Sequence, residues 1–447
     1  MNIQKINQDS HNLVKLLYIK DFIGDDILFH TEKKMNGQPE STKIFHLSES
    51  IDVIIYNHDI LENIIAVRTI IYGKEIGLKQ ENYHYLKVIV EELLLDQFIC
   101  ENSDFKFLEV KTFEWLVSIY LEKEIENDLY KFILSKLEEE KSEYSFYFKL
   151  NDLIIEDHFV VGNCELTSID QTFFEKRLEE TNSYNERISQ DNNKAFYSFF
   201  NRFCNRVLIT ITVNAIKDKA ILLAKKEVEL SINALKMFLS VESITKKNLF
   251  DIDFIIHDEI SEYFSFSKTT KSFDTIIDVG NHIPVKIDNQ KLNELNSYGL
   301  KVVSLFLQNK KNSELYFEIE SLINELGNIN STKGFHDRIV LLVSFFERII
   351  IPKTNVKGKG LAFLKNNVLP KLISNFNDEV ASQINKIYNI RDKYIHNRIE
   401  IPIDVDSLLM FKDIARIFIL KLINLNNSNY ESLEDVQNYF KIQILKK

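Results

Sequence analysis

Three residues near the end of the chain carry groups suited to chemistry on phosphate: Arg391, Asp392 and His396. An imidazole that titrates near neutrality moves protons, and a guanidinium stabilises charge that builds up on a phosphoryl group. Asp392 and His396 are four residues apart and share one face if the segment is helical. The carboxylate would then hold the imidazole in one tautomer and raise its pKa. The pattern predicts a histidine suited to general acid–base work.

The segment around these residues has the spacing of a helix. Ile384, Ile387 and Ile395 recur at helical intervals, and Arg391 lies on the same apolar stripe. A charge on such a stripe is costly to bury alone, so Arg391 should pair with an acid or line a cleft. Arg391 and His396 are roughly 140° apart around an ideal helix. We therefore expect a second copy of the chain to help complete the site.

The region that carries this segment, residues 292–447, is predicted to be an all-helical bundle. Its six candidate helices are Leu292–Gln308, Ser313–Leu326, Asp337–Ile350, Leu361–Leu372, Asp378–Asn397 and Ser407–Asn424. Gly334, Pro352, Pro370 and Pro402 punctuate them.

The first 291 residues have mixed patterns and are divided into an N-terminal α/β domain, residues 1–170, and a middle α/β region, residues 171–291. The strand candidates are Asp25–Phe29, Thr42–Leu47, Tyr144–Leu150, Phe159–Leu166 and Val207–Val213, with a tight turn at Asn36-Gly37. The helix candidates are Leu86–Phe98, Phe105–Glu140 and Ile216–Leu239. The predicted fold class is therefore α+β, predominantly α.

Composition limits the classes of function. The chain has 447 residues and a net charge of −11, which excludes a uniformly basic nucleic-acid-binding surface but leaves room for a local patch. Its three cysteines, Cys100, Cys164 and Cys204, are widely spaced, which argues against a disulfide framework or a zinc site. With no apolar run long enough for a signal peptide or a membrane span, we expect a cytoplasmic protein. No cofactor motif is recognised.

The C-terminal third resembles a HEPN domain, most closely the Apea-like branch. The family's motif is Arg, then Asn, Asp or His, three further residues and His, and Arg391, Asp392 and His396 match it in order. The stretch Ile387–Arg391 and an upstream apolar segment, Asp337–Glu347, also resemble the branch. Asn397 departs from it, because the branch often has Gly there.

The resemblance implies a helical homodimer and, in many members, a metal-independent ribonuclease of toxin–antitoxin or phage-defence systems. His396 would activate the ribose 2′-OH or protonate the leaving oxygen, Arg391 would stabilise the phosphate, and Asp392 would orient the histidine. The expected partners are RNA, with tRNA one candidate, and an antitoxin or a phage-derived trigger. Other members of the family only bind RNA or protein, so a non-catalytic scaffold stays open.

A basic strip precedes the motif, and its lysines are the candidate contacts to RNA phosphates. The predicted RNA-binding residues are Lys353, Lys357, Lys359, Lys393 and Arg398. The strip between Pro352 and Lys371 is equally well read as a solvated loop and helix face. Likewise, Arg391 and His396 alone also fit a structural ion pair at a helix end. Asp253 and His257 have no second His or Cys at ligand spacing, so no metal site is predicted.

Overall fold

A computed structural model gives the structure of most of the chain. It describes residues 1–21, 43–48, 51–55, 65–71, 74–150, 153–168, 206–243, 263–267, 273–276, 285–331, 335–350, 359–374, 376–399, 401–402 and 405–442, with isolated residues between 170 and 203. The predicted strand Asp25–Phe29 and the turn Asn36-Gly37 lie outside these ranges.

Two compact units make up the described chain. The first comprises Met1–Tyr144 and Val213–Leu222, and the second comprises Ser145–Thr212 and Leu223–Lys447. The predicted boundaries after residues 170 and 291 both fall inside the second unit, and the three-part division stays a prediction.

The first unit joins an antiparallel sheet to five helices. The strands are β1 (Tyr18–Asp21), β2 (Lys43–Ser48), β3 (Ile51–Ile55), β4 (Ile65–Ile71) and β5 (Lys74–Lys79), in the order β1-β5-β4-β3-β2. The helices are α1 (Ile3–Val14), α2 (Gln80–Leu93), α3 (Gln97–Asn102), α4 (Phe105–Tyr120) and α5 (Leu129–Glu140). Trp115 is fully buried in their core, and its indole N–H donates to the Glu126 carbonyl at 2.8 Å.

The single helix predicted over Phe105–Glu140 is wrong, because the structure has two helices there. Helix α4 ends at Tyr120, and Glu122 takes a left-handed φ of 54°. Asp128 then starts α5 by accepting a hydrogen bond from the Lys131 backbone N–H at 3.1 Å. A polar connection thus separates the two helices. The second helix begins at a cap formed by Asp128, which the apolar periodicity did not predict.

A six-stranded sheet runs in the order β12-β11-β6-β10-β9-β8. Its strands are β6 (Ser142–Leu150), β8 (Phe159–Val161), β9 (Cys164–Ser168), β10 (Val207–Ala215), β11 (Tyr263–Ser267) and β12 (Phe273–Ile276). Two further strands, β7 (Leu153–Ile155) and β13 (Val285–Ile287), pair in parallel. The strand predicted over Phe159–Leu166 is in fact the hairpin β8–β9, because Gly162 turns the chain with a φ of 59°.

The helices number from α6 onward as follows: α6 (Lys217–Ser243), α7 (Asn289–Ser297), α8 (Leu300–Gln308), α9 (Glu314–Ser331), α10 (Phe335–Ile350), α11 (Lys359–Phe363), a π-helical turn (Leu364–Val368), α12 (Leu369–Leu372), α13 (Asp378–Asn397), α14 (Val405–Asn427) and α15 (Leu433–Ile442). Helix α10 packs on α13, and α9 packs on α10 and α14. The buried aromatic rings between these helices include Phe345, Phe346, Phe411, Phe418 and Phe440.

The π-helical turn has a local cause in the sequence. Pro370 follows it closely, and a proline inside an α-helix removes one hydrogen bond and clashes with the carbonyl four residues earlier. The wider turn accommodates that misfit, and the Leu369 backbone N–H bonds instead to the Leu364 carbonyl.

The described chain is predominantly helical with a few small sheets, as predicted. Within the ranges given above, no helix is long and apolar enough to cross a membrane.

Candidate functional site

Helix α13 carries all three predicted catalytic residues, and local signals set both of its ends. The Asn377 side chain accepts a hydrogen bond from the Val380 backbone N–H at 3.0 Å, and Asp378 and Glu379 place negative charge in the first turn. At the other end Arg398 takes a left-handed φ of 52°. The helix therefore covers Asp378–Asn397, the range that the sequence predicted.

One face of α13 is buried against its neighbouring helices. Ile384, Ile387 and Ile390 are buried in that interface, whereas Ile395, which was predicted to lie on the same apolar stripe, is 43% exposed. The predicted stripe is therefore wrong at Ile395. Arg391 lies at the edge of the same face, and 23% of its side chain is exposed. Its guanidinium is thus partly inside the protein and partly open to solvent.

Arg391 pairs with two carboxylates. Nη1 donates to Asp392 Oδ1 at 2.9 Å, and Nη2 donates to Glu347 Oε2 on α10 at 3.4 Å. The arginine on the apolar stripe is therefore paired with acids, as expected. The third nitrogen, Nε, is buried, and no described residue accepts a hydrogen bond from it.

Asp392 and His396 do not make the predicted hydrogen bond in the described structure. The Asp392 carboxylate is occupied by Arg391, and 55% of its side chain is exposed. His396 is exposed in the last turn of α13, and none of the described residues bonds to its imidazole. The expectation that Asp392 orients His396 is therefore corrected: in this structure the carboxylate faces the arginine instead.

Tyr388 lies one turn before Arg391 and is 5% exposed. Its hydroxyl oxygen is buried and has no hydrogen-bond partner in the described part of the chain. Burial raises the pKa of Tyr388 well above its usual 10, and the negative charge of Glu347 raises it further. The phenol is thus neutral and a hydrogen-bond donor at physiological pH.

The end of α13 is held to the start of α10. The Tyr394 hydroxyl donates to Asp337 Oδ1 at 3.0 Å, and its ring stacks on His336 with ring centroids 4.9 Å apart. His336 Nε2 lies 3.0 Å from the Ile401 carbonyl oxygen. These contacts fix the helical turn that presents His396.

The predicted RNA-binding residues are only partly described. Lys353 and Lys357 lie outside the described residues, and Lys359 is the first residue of α11, with its side chain undescribed. Lys393 is exposed near the end of α13, and Arg398 is exposed at the residue that follows the helix. They lie near His396 along the chain, as a contact to the same RNA requires.

Two other lysines of the basic strip have structural partners. Lys365 donates to Asn385 Oδ1 at 2.9 Å, and Lys371 donates to the Tyr439 carbonyl at 2.9 Å. Both therefore hold helices together, which favours the structural interpretation for this half of the strip.

Among the residues that the structure describes, no group of three or more His, Cys, Asp or Glu side chains is arranged to hold a metal ion. Asp253 and His257, the pair considered from the sequence, lie outside the described ranges.

No family model, curated protein or solved structure matches this chain. The resemblance to the HEPN family therefore rests on the motif and its helical setting alone.

Sequence reasoning missed two members of the site. The sequence did not identify Glu347 as the partner of Arg391, because this pairing depends on how α10 crosses α13. Tyr388 was overlooked, although its spacing of three residues from Arg391 places both on one helix face.

Proposed function

We propose that the protein is a metal-independent endoribonuclease of a toxin or anti-phage defence system, acting in the cytoplasm. The observation that carries the proposal is Arg391. It sits half-buried on an otherwise apolar face and keeps one donor nitrogen without an acceptor. His396 is exposed on the same helix, and no described residue bonds to its imidazole.

In the proposed reaction the ribose 2′-oxygen attacks the adjacent phosphorus. His396 takes the 2′-OH proton, and the 5′-oxygen of the next nucleotide leaves and is protonated. The products are a 2′,3′-cyclic phosphate and a 5′-OH, so no water and no metal enters this step. Arg391 stabilises the negative charge on the pentacovalent phosphate. DNA, which lacks the 2′-OH, should resist.

The spacing on α13 supports a homodimer in this scheme. A single helix separates Arg391 and His396 by roughly 140°, so one copy does not aim both groups at one phosphorus. A second copy of the motif would supply the missing group and also a second imidazole, one for the base and one for the acid.

Asp392 stays in the proposed site with a changed role. Its carboxylate orients the Arg391 guanidinium and offsets the positive charge of that group when no RNA is bound.

The alternative is a non-catalytic module that binds RNA or protein. One observation favours it: Arg391 is bound by two carboxylates, which is how a structural ion pair is arranged. In that case RNA, an antitoxin or a phage-derived trigger would bind without being cut.

The deciding experiment incubates the purified wild-type protein with tRNA and mRNA in EDTA and maps the RNA ends. Arg391→Ala and His396→Ala should abolish fragments that end in cyclic phosphate. The matched controls are two substitutions outside the site. Arg348→Ala removes an ion-paired arginine on α10, and His158→Ala removes an exposed histidine. Intact RNA with the wild type, together with RNA binding that survives His396→Ala, would reject the ribonuclease and favour the binding module.

A further inference from the structure

Tyr388 and Arg391 place two unpartnered donors on one face of α13. They are three residues apart, so their side chains are neighbours on the helix. The Tyr388 hydroxyl and the Arg391 Nε–H are both buried, and neither has a hydrogen-bond partner among the residues that the structure describes. Buried polar atoms in native proteins nearly always have one, so two such donors one turn apart call for a common explanation.

The acceptors nearby are already used by other atoms. Glu347 and Asp392 accept from the two terminal nitrogens of Arg391 rather than from Nε or from the phenol. The remaining neighbour is the Phe411 ring, which meets the Tyr388 ring edge-on at 6.4 Å between centroids. Within the described residues, the two donors thus have no acceptor that belongs to this chain.

The chemistry of the two donors restricts what that acceptor is. The Arg391 guanidinium can only donate, because it is always charged, and the buried Tyr388 phenol keeps its proton and therefore has a hydrogen to donate. Their ligand must be an oxygen with free lone pairs, and the guanidinium favours one that carries negative charge. A phosphate meets both conditions, and its several oxygens would also satisfy the exposed edge of Arg391.

We propose that the Tyr388 hydroxyl and Arg391 Nε together bind one oxygen of a phosphate group, so that Tyr388 is a phosphate-positioning residue. The identification of that phosphate with the scissile group of RNA rests on the proposed function, whereas the phosphate site itself does not. Glu347 competes for the same guanidinium through its 3.4 Å contact, the longer of the two to Arg391. An arriving phosphate takes the place of this carboxylate.

Tyr388→Phe tests the proposal because it removes only the hydroxyl. In the free protein this removes an unsatisfied buried group, so we expect the melting temperature to stay the same or to rise by about 2 °C. Binding of inorganic phosphate, measured by calorimetry on the full-length His396→Ala protein with and without Tyr388→Phe, should weaken about tenfold or more, the usual effect of losing a hydrogen bond to a charged group. The substitution should therefore weaken phosphate binding without lowering the melting temperature. A purely structural tyrosine would not produce both effects.

Thr112→Val is the matched control. Thr112 Oγ1 is also buried without a partner, but it lies in the first unit. Like Tyr388→Phe, Thr112→Val should leave the melting temperature unchanged or raise it. Unlike Tyr388→Phe, it should leave phosphate binding unchanged.

Three results would overturn the proposal: no phosphate binding to the protein with Tyr388, equally tight binding by the Tyr388→Phe variant, or a lower melting temperature for that variant. A separate cleavage assay distinguishes the two proposals. If the wild type cuts no RNA but phosphate binding depends on Tyr388, the ribonuclease fails and the phosphate site stands. If the wild type cuts RNA and Tyr388→Phe leaves kcat and KM unchanged, the ribonuclease stands and the role of Tyr388 fails.

Discussion

Tyr394 on α13 donates its hydroxyl hydrogen to Asp337 on α10 at 3.0 Å, and this hydrogen bond links the turn that presents His396 to a second helix. Fifty-seven residues separate the two along the chain.

The first prediction concerns this link. Tyr394→Phe and Asp337→Asn should each lower the free energy of unfolding by about 1 kcal/mol, because each weakens or removes the same hydrogen bond. Urea denaturation of both single variants and the double variant measures the coupling. Since both changes act on one contact, the double variant should lose less than the sum of the two. Strict additivity would mean that the contact contributes nothing in solution.

The second prediction concerns Lys412 on α14, which is 5% exposed. Burial first, and then the nearby charge of Arg338, lowers the pKa of Lys412 from its usual 10.5 to about 7. Between these two values the unfolded chain binds more protons than the folded chain, so this group makes stability rise as pH increases. Lys412→Met should therefore stabilise the protein at and below pH 7, by on the order of a few kcal/mol.

This advantage of Lys412→Met over the wild type should shrink steadily towards pH 10.5. Comparing the two proteins by urea denaturation across that range cancels the titration of every other group. A constant difference would show that Lys412 keeps its ordinary pKa in the fold.

The third prediction concerns the crossing of α9 and α6. A Cβ added at Gly327 would lie 2.5 Å from the Asn233 Cβ and 2.6 Å from its backbone Cα. Because a backbone atom cannot rotate away, Gly327→Ala should destabilise the protein by about 3 kcal/mol. Ser321→Ala on the same helix is the control, with an expected change below about 0.5 kcal/mol. Similar melting temperatures for the two variants would show that the helices separate at little cost.

The fourth prediction concerns Lys393 and Arg398, the described members of the proposed RNA contact. Changing both to Ala should weaken binding of single-stranded RNA and reduce the slope of log affinity against log salt by about 1.4, roughly 0.7 for each lost phosphate contact. The experiment uses the His396→Ala protein, so that RNA stays intact. An unchanged slope would place the RNA elsewhere on the protein.

The sequence predicted α13 well because its determinants are local. Asn377 caps the start, the apolar residues follow one face, and a polar stretch leads to Pro402. The same reasoning joined α7 and α8 into one helix over Leu292–Gln308. The structure breaks that helix at Gly299, whose φ of 111° lets the chain turn while Arg416 on α14 donates to the Tyr298 carbonyl. The arginine that supports the break is more than a hundred residues away, so no local pattern reveals it.

For the candidate site, too, the sequence predicted the features that depend on local spacing and not those that depend on other helices. The spacing of Arg391, Asp392 and His396 and the need of Arg391 for an acid followed from the sequence. The sequence did not show which acids Arg391 binds, because Glu347 comes from another helix and Asp392 was expected to face the histidine. Helix α15 was also missed, since its single apolar face, with Val436 and Phe440, is short and lies beyond the last predicted helix.

The π-helical turn at Leu364–Val368 changes the direction in which the two strip lysines point. A π turn contains one residue more than an α turn, so everything after it is rotated by roughly 100° relative to an uninterrupted helix. Lys365 binds Asn385 on α13, and Lys371 binds the carbonyls of Tyr439 and Phe440 at the end of α15. The short stretch from Lys365 to Lys371 thus contacts both α13 and α15. A one-residue deletion within the π turn would leave Lys371 pointing away from α15.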